Sequence, residues 1–160
     1  MALARRHGLI VIEDACHGPL SEYQGRRLGT IGAIGCFSFF ANKSISTAEG
    51  GMLTIADDEH ARRARLLRSH GMTSMSFERA KGHATEYDVL EIGYNYRLDD
   101  LRAALGLAQL EKMPRDLAAR AQVRAWYLAA LADEPRLTIP FRSWSGVVSN
   151  YIFVVVLRAA

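Results

Sequence analysis

An α/β fold built on a parallel sheet is what this sequence predicts, and three observations predict it. The run Leu9-Ile10-Val11-Ile12 is apolar without alternation and ends in Glu13-Asp14. That is the pattern of a strand buried on both faces of a parallel sheet, with its carboxylates at the carboxyl end. Two further apolar strands, Cys36 to Phe40 and Gly51 to Ala56, follow before Asp57, and three strands make a sheet. A helical segment capped by Asp57 then runs to Arg68, which adds helix to the sheet.

Each element has a local reason. Ala2 to His7 has the look of a helix end, and Gly8 is a natural stop. Tyr23-Gln24-Gly25-Arg26-Arg27 resembles a hairpin turn, and Gly29, Gly32 and Gly35 lead into the second strand. Ala41-Asn42-Lys43-Ser44 leaves that strand as a loop, and the pair Gly50-Gly51 opens the third. Asp57 is a good N-cap for the helix through Arg68, with Gly71 just past its end. Met72 to Val89 has weak periodicity and is expected to be a long surface loop, a kind of segment that often carries function. Leu101, Ala104, Leu105, Ala108 and Leu110 begin an amphipathic helical pattern that resumes through Leu117, Val123, Tyr127 and Leu131. Pro114 is expected to kink or split it. Pro135 and Pro140 punctuate, and Tyr151 to Leu157 is a further strand, whose partners are expected to be absent or supplied by another chain.

Composition narrows the function classes. A chain of 160 residues with 49% hydrophobic and 23% charged content suits one compact soluble domain and argues against disorder or a fibre. The net charge of +3 is small and its bases are mixed with acids, which argues against nucleic acid. Arg62, Arg63, Arg65 and Arg68 fall at helical spacing and are expected on a solvated face. Cys16 and Cys36 stand without Cys or His at metal-ligand spacing, so neither a zinc site nor a disulfide scaffold is expected. No apolar run approaches the length of a membrane span, and a cytoplasmic protein is expected.

Lys43 is conspicuous because arginines outnumber lysines 17 to 3. Arginine serves for a fixed positive charge, whereas a desolvated lysine amine can lose its proton and form a Schiff base. The alternative is a lysine snorkelling from a loop. Asp14, at the carboxyl end of a parallel strand, stands where open α/β sheets bind ligands, or else caps the next turn. Together, the two match the needs of pyridoxal phosphate: an amine for its aldehyde, and an acid that keeps its pyridine nitrogen protonated. Other cofactor readings fare worse. Asn42, not glycine, precedes Lys43-Ser44, which excludes a P-loop. The glycines at 29, 32 and 35 precede a strand rather than follow one, and no Gly-x-Ser-x-Gly elbow occurs.

The run Val11-Ile12-Glu13-Asp14-Ala15-Cys16-His17 is followed by Gly35 to Ser44, containing Ser38 and Lys43, and by Thr47-Ala48-Glu49-Gly50-Gly51. Arg68-Ser69-His70-Gly71-Met72, Gly93-Tyr94-Asn95-Tyr96-Arg97-Leu98 and Ala103 to Leu110 come next, in order. These blocks in register resemble the DegT/DnrJ/EryC1/StrS family of sugar aminotransferases. The resemblance implies the pyridoxal-phosphate aminotransferase fold of type I, a mixed sheet with helices on both faces. Residues 1–112 would be the C-terminal half of the cofactor domain, and residues 113–160 a connecting helix and the start of a small domain. It covers nearly the whole chain but only the middle of the family's sequence, so the phosphate-binding glycine-threonine loop falls outside it. One departure is Ala48, where glycine is usual before Glu-Gly-Gly.

Roles follow from the resemblance residue by residue. Lys43 is implied to hold the cofactor as an internal aldimine and to move the proton during transfer. Asp14 is implied to pair with the pyridine nitrogen, and His17 to lie close to the cofactor ring, a core histidine being the alternative. Ser38 is implied to donate to the cofactor phosphate. Asn95 is implied to reach the phosphate of a cofactor in the neighbouring subunit of a homodimer, the alternative being an ordinary loop asparagine. Arg97 suits a carboxylate or a diphosphate. The implied reaction moves an amino group from glutamate or glutamine to a keto group of a nucleotide-linked sugar. Two alternatives stand beside it: a sugar dehydratase using the amine form of the cofactor, in which histidine typically replaces the lysine, and a truncated non-catalytic remnant or partner subunit. No metal, nucleic acid or membrane enters either reading.

Overall fold

The computed structural model describes residues 1–73, 82 and 86–158. They fall into two compact units, Met1–Thr54 with Leu101–Ala160, and Ile55–Asp100.

The first unit opens with helix α1 (Ala2–Arg6) and strand β1 (Ile12–Asp14), followed by a two-stranded hairpin, β2 (Glu22–Tyr23) and β3 (Arg26–Arg27). Gln24 and Gly25 both take positive φ, 51° and 73°, the turn whose twist suits a hairpin. Strands β4 (Ile34–Ser38) and β5 (Gly51–Ile55) complete a three-stranded sheet of order β1-β4-β5. β1 and β4 run parallel, with Ile12, Glu13 and Asp14 opposite Ile34, Gly35 and Cys36. The carboxyl ends of both strands therefore lie at one edge of the sheet.

Glu13 fixes that pairing. Its carboxylate accepts the backbone N–H groups of Gly29 (2.8 Å), Ile31 (2.6 Å) and Gly32 (2.6 Å). Burial acts to raise this carboxyl, but the amides of Gly32, Gly29 and Ile31, with Arg26 adding its charge, outweigh it and hold the group below the usual carboxylate range. The turn that Glu13 gathers leads directly into β4. A Cβ on Gly35 would collide with Gly29, so this turn packs backbone on backbone.

Three expectations are corrected here. Leu9 to Ile12 do not form a strand buried on both faces: β1 is an edge strand, and Leu9, Ile10 and Ile12 are exposed. An unbroken apolar run signals partners on both sides, and among the described residues β1 has a strand partner on one side alone. The second strand begins two residues earlier than its apolar run, because Glu13 delivers the chain to β1 at Ile34. The strand at the far end is Val156–Leu157 (β7), and it has a partner within the chain, Leu137–Thr138 (β6), with which it pairs antiparallel.

The long helix, α3 (Asp100–Ala130), runs unbroken through Pro114. Proline removes one hydrogen bond, to the carbonyl of Leu110. Both residues are exposed, so water can take that carbonyl. Its packed stripe also departs from the predicted face over the first three turns. Ala103, Gly106, Gln109, Met113, Leu117 and Leu128 are buried or half-buried in steps of helical spacing, while Leu101 (86% exposed), Leu105 and Leu110 face outward.

The second unit contains helix α2 (Asp58–Arg68). The Asp57 side chain caps it by accepting the His60 N–H at 2.8 Å. Arg62, Arg63, Arg65 and Arg68 are exposed as expected. Past the helix, Met72 bridges Val89, and the Thr73 amide donates to the Asp88 carbonyl. Most of the loop expected between Met72 and Val89 lies outside the described residues.

Candidate active site

Three sequence-singled residues gather beyond the carboxyl ends of β1 and β4. Asp14 ends β1, His17 follows in the next turn, and Lys43 lies in the loop after β4. Lys43 Nζ and His17 Nε2 are 2.6 Å apart. The Asp14 carboxylate accepts the Cys16 amide at 3.1 Å. The Cys16 side chain and amide beside it, with His17 and Lys43 adding positive charge, hold the Asp14 carboxyl below its usual range, while the Cys16 thiol itself donates to the Cys36 carbonyl at 3.7 Å. Asp14 in turn pushes the Cys16 thiol up. Asp14 thus stays ionised, an acceptor open to solvent at the strand end.

Ser38 is the last residue of β4, two positions beyond the Cys36 that pairs with Asp14, and its hydroxyl accepts the Phe40 amide at 3.3 Å. The Ser44 hydroxyl, next to Lys43, is buried and has no hydrogen-bond partner among the described residues. The loop carrying Lys43 is held at both ends. The Phe39 amide donates to Gly50 and the Thr47 amide to Phe39, while Gln109 of α3 clasps Ser46 by accepting its N–H (2.9 Å) and donating to its carbonyl (2.7 Å). Ala48 sits in this loop at φ +67°, a left-handed conformation that favours glycine.

Tyr151 is a site residue that sequence reasoning did not single out. Its ring stacks on His17, with centroids 4.1 Å apart at 21°, and Lys43 Nζ lies 5.2 Å from its centroid. Nothing local in the sequence announces this contact, because 134 positions separate the two rings. Ser149 secures it: its amide donates to Ser21 Oγ at 2.9 Å and its hydroxyl donates to the His17 carbonyl.

Asn95 belongs to the second unit, where it forms an antiparallel bridge with Ser69. Gly93 backs this stretch so closely on His70 and Gly71 that a Cβ there would strike the Gly71 amide. Ile92, Tyr94, Tyr96 and Leu98 alternate with these anchored residues and are all exposed, with the two tyrosine rings stacked at 5.0 Å and 8°. Arg97 is exposed in the same stretch. No group of His, Cys, Asp and Glu suited to a metal ion occurs among the described residues.

The sequence pattern of the DegT/DnrJ/EryC1/StrS aminotransferase family matches residues 1–160. The chain belongs to that family. It is 44% identical over 149 residues to GDP-perosamine synthase of Caulobacter vibrioides, a match covering 91% of this chain and 37% of that protein. Among solved structures it superposes on PseC of Helicobacter pylori, an aminotransferase involved in the biosynthesis of pseudoaminic acid, with a TM-score of 0.89 at 33% identity. That match covers 98% of this chain and 40% of the other. A third relative is the E. coli GDP-4-keto-6-deoxy-D-mannose-3-dehydratase with bound hydrated pyridoxal phosphate, at a TM-score of 0.81 and 25% identity, over 99% of this chain and 42% of that one. The type I aminotransferase fold follows from these matches, and the chain spans about two-fifths of the length of the relatives it matches.

Proposed function

We propose that this chain is the central part of a pyridoxal-phosphate-dependent aminotransferase that transfers an amino group from glutamate or glutamine to a keto group of a nucleotide-linked sugar. The observation that carries the reading is the meeting of Lys43, His17 and an ionised Asp14 beyond two parallel strands, in a chain of this family. The donor set fits the cofactor: an amine for an aldehyde, a carboxylate for a ring nitrogen, and the hydroxyl of Ser38 for a phosphate. The buried Ser44 hydroxyl is a further polar group beside Lys43 with no partner in the described residues. When bound, pyridoxal phosphate supplies an electron sink for breaking and forming bonds at the amine-bearing carbon.

The chain's own residues do the rest. Lys43 holds the cofactor through its amine and moves the proton to and from the reacting carbon. His17, hydrogen-bonded to Nζ, keeps the amine directed. Asp14, held ionised by Cys16, favours a protonated ring nitrogen. Asn95 serves the cofactor phosphate of a second copy in a homodimer, a role supported by the exposed apolar stripe Ile92, Tyr94, Tyr96 and Leu98 around it. In this reading, residues 1–112 close the cofactor domain and residues 113–160 lead into the small domain. No described helix is long and apolar enough to cross a membrane.

The test is covalent. The full-length protein is mixed with pyridoxal phosphate and reduced with borohydride, and the pyridoxyl label is located by mass spectrometry. Label on Lys43, lost in Lys43→Ala, is the expected result; label elsewhere or none overturns the reading. The dehydratase relative makes product analysis the companion assay. An amino sugar supports transamination, which the intact Lys43 favours, and a deoxy sugar supports dehydration.

A further inference from the structure

We infer that Tyr151 is a positioning residue for Lys43, acting through His17. The inference rests on Lys43 being the amine that carries the cofactor. His17 leaves β1 on a turn, and its side chain is exposed. An exposed imidazole turns freely about its side-chain torsions, yet its Nε2 has to meet Lys43 Nζ at 2.6 Å. What fixes the ring plane is the tyrosine face stacked against it at 4.1 Å. That same face lies 5.2 Å from the lysine ammonium, within the reach of a cation–π contact. One ring therefore touches both members of the pair.

Tyr151 itself is firmly held. Ser21 and Ser149 are each 5% exposed and hydrogen-bonded to one another, and the Ser149 hydroxyl reaches the His17 carbonyl. Asn150, between Ser149 and Tyr151, takes φ +49°, turning the chain so that Ser149 meets the backbone of His17 while Tyr151 meets its ring. A strap from the far end of the sequence is thus fastened to the turn after β1 at two points, backbone and ring. The tyrosine hydroxyl takes no part in these contacts, so the ring face is the working group.

The experiment compares Tyr151→Phe, which keeps the face, with Tyr151→Leu, which keeps apolar bulk and removes it. In the full-length protein, the rate at which Lys43 takes up the borohydride-trapped pyridoxyl label is measured. We expect Tyr151→Phe to match the parent and Tyr151→Leu to slow about fivefold to tenfold. In a His17→Asn background, Tyr151→Leu should cost clearly less, because the route through the imidazole is gone and only the direct lysine contact remains. Ring protons of His17 should show an upfield ring-current shift in the parent and in Tyr151→Phe. Absence of that shift in the unsubstituted protein overturns the inference without recourse to any variant. Equal labelling rates for all three proteins, or an undiminished effect of Tyr151→Leu in the His17→Asn background, overturns it as well. Failure of the underlying reading is distinct, since Lys43 in the parent would then carry no label.

Discussion

Glu13 does more for this chain than its place beside a candidate catalytic acid suggests. Three backbone N–H groups converge on its carboxylate and tie the turn before β4 to β1. Replacing it with glutamine puts an NH2 where donors already point, so Glu13→Gln should destabilise the fold by about 1–3 kcal/mol in urea unfolding. Its carboxyl is held below the usual range in the folded state, so its contribution is present above the ordinary glutamate value and lost as pH falls through the lowered folded value. The parent should lose stability over that acid window and Glu13→Gln should lose less; identical pH slopes for the two proteins would contradict this. At the same scale, Lys43 and Asp14 were legible because chemistry-bearing residue types are scarce at such positions. Tyr151 was not, because contact across 134 residues leaves no local pattern.

Among the elements, the hairpin, α1 and α2 follow from turn residues and caps that act within a few positions. The misread ones depend on partners. The first leucines of α3, Leu101, Leu105 and Leu110, predicted its buried face wrongly, since the packed stripe there contains Gly106, which lies against the Thr47 methyl, and Gln109, which clasps Ser46. Size and hydrogen bonding, together with the apolar Met113, chose that side. The stretch around Asn95 makes a prediction at this scale. Gly93 lies against the backbone of His70 and Gly71, so Gly93→Ala should push the two segments apart at a cost of about 1–3 kcal/mol. The amides of His70, Tyr94 and Tyr96, which bond Tyr94, Leu67 and Arg68, should then exchange hydrogen about tenfold faster or more. Unchanged exchange would show that Asn95 is held by something other than this contact.

For the molecule as a whole, the sequence's apolar half and the structure's small core have to be set side by side. Buried apolar side chains among the described residues are Ala15, Ile45 and Met113, while Leu9, Ile10, Ile92, Leu101 and Leu157 are exposed. A chain that is 49% hydrophobic leaves such surface to be covered by something else. The 160 residues on their own should therefore self-associate in gel filtration and take up pyridoxal phosphate weakly. A monodisperse monomer that binds the cofactor tightly would contradict both expectations. The family itself was legible from ordered motif blocks, because those blocks hold the turns and polar groups that few other sequences need together.

The clasp between Gln109 and Ser46 has one more consequence. A side-chain amide that both accepts from and donates to the same residue makes the lysine loop a passenger of the long helix. The two should open as a single cooperative unit, with the Ser46 amide reporting the same opening free energy as the middle of α3. Lys43 then has little freedom of its own, and whatever shifts that helix along its axis carries the reacting amine with it.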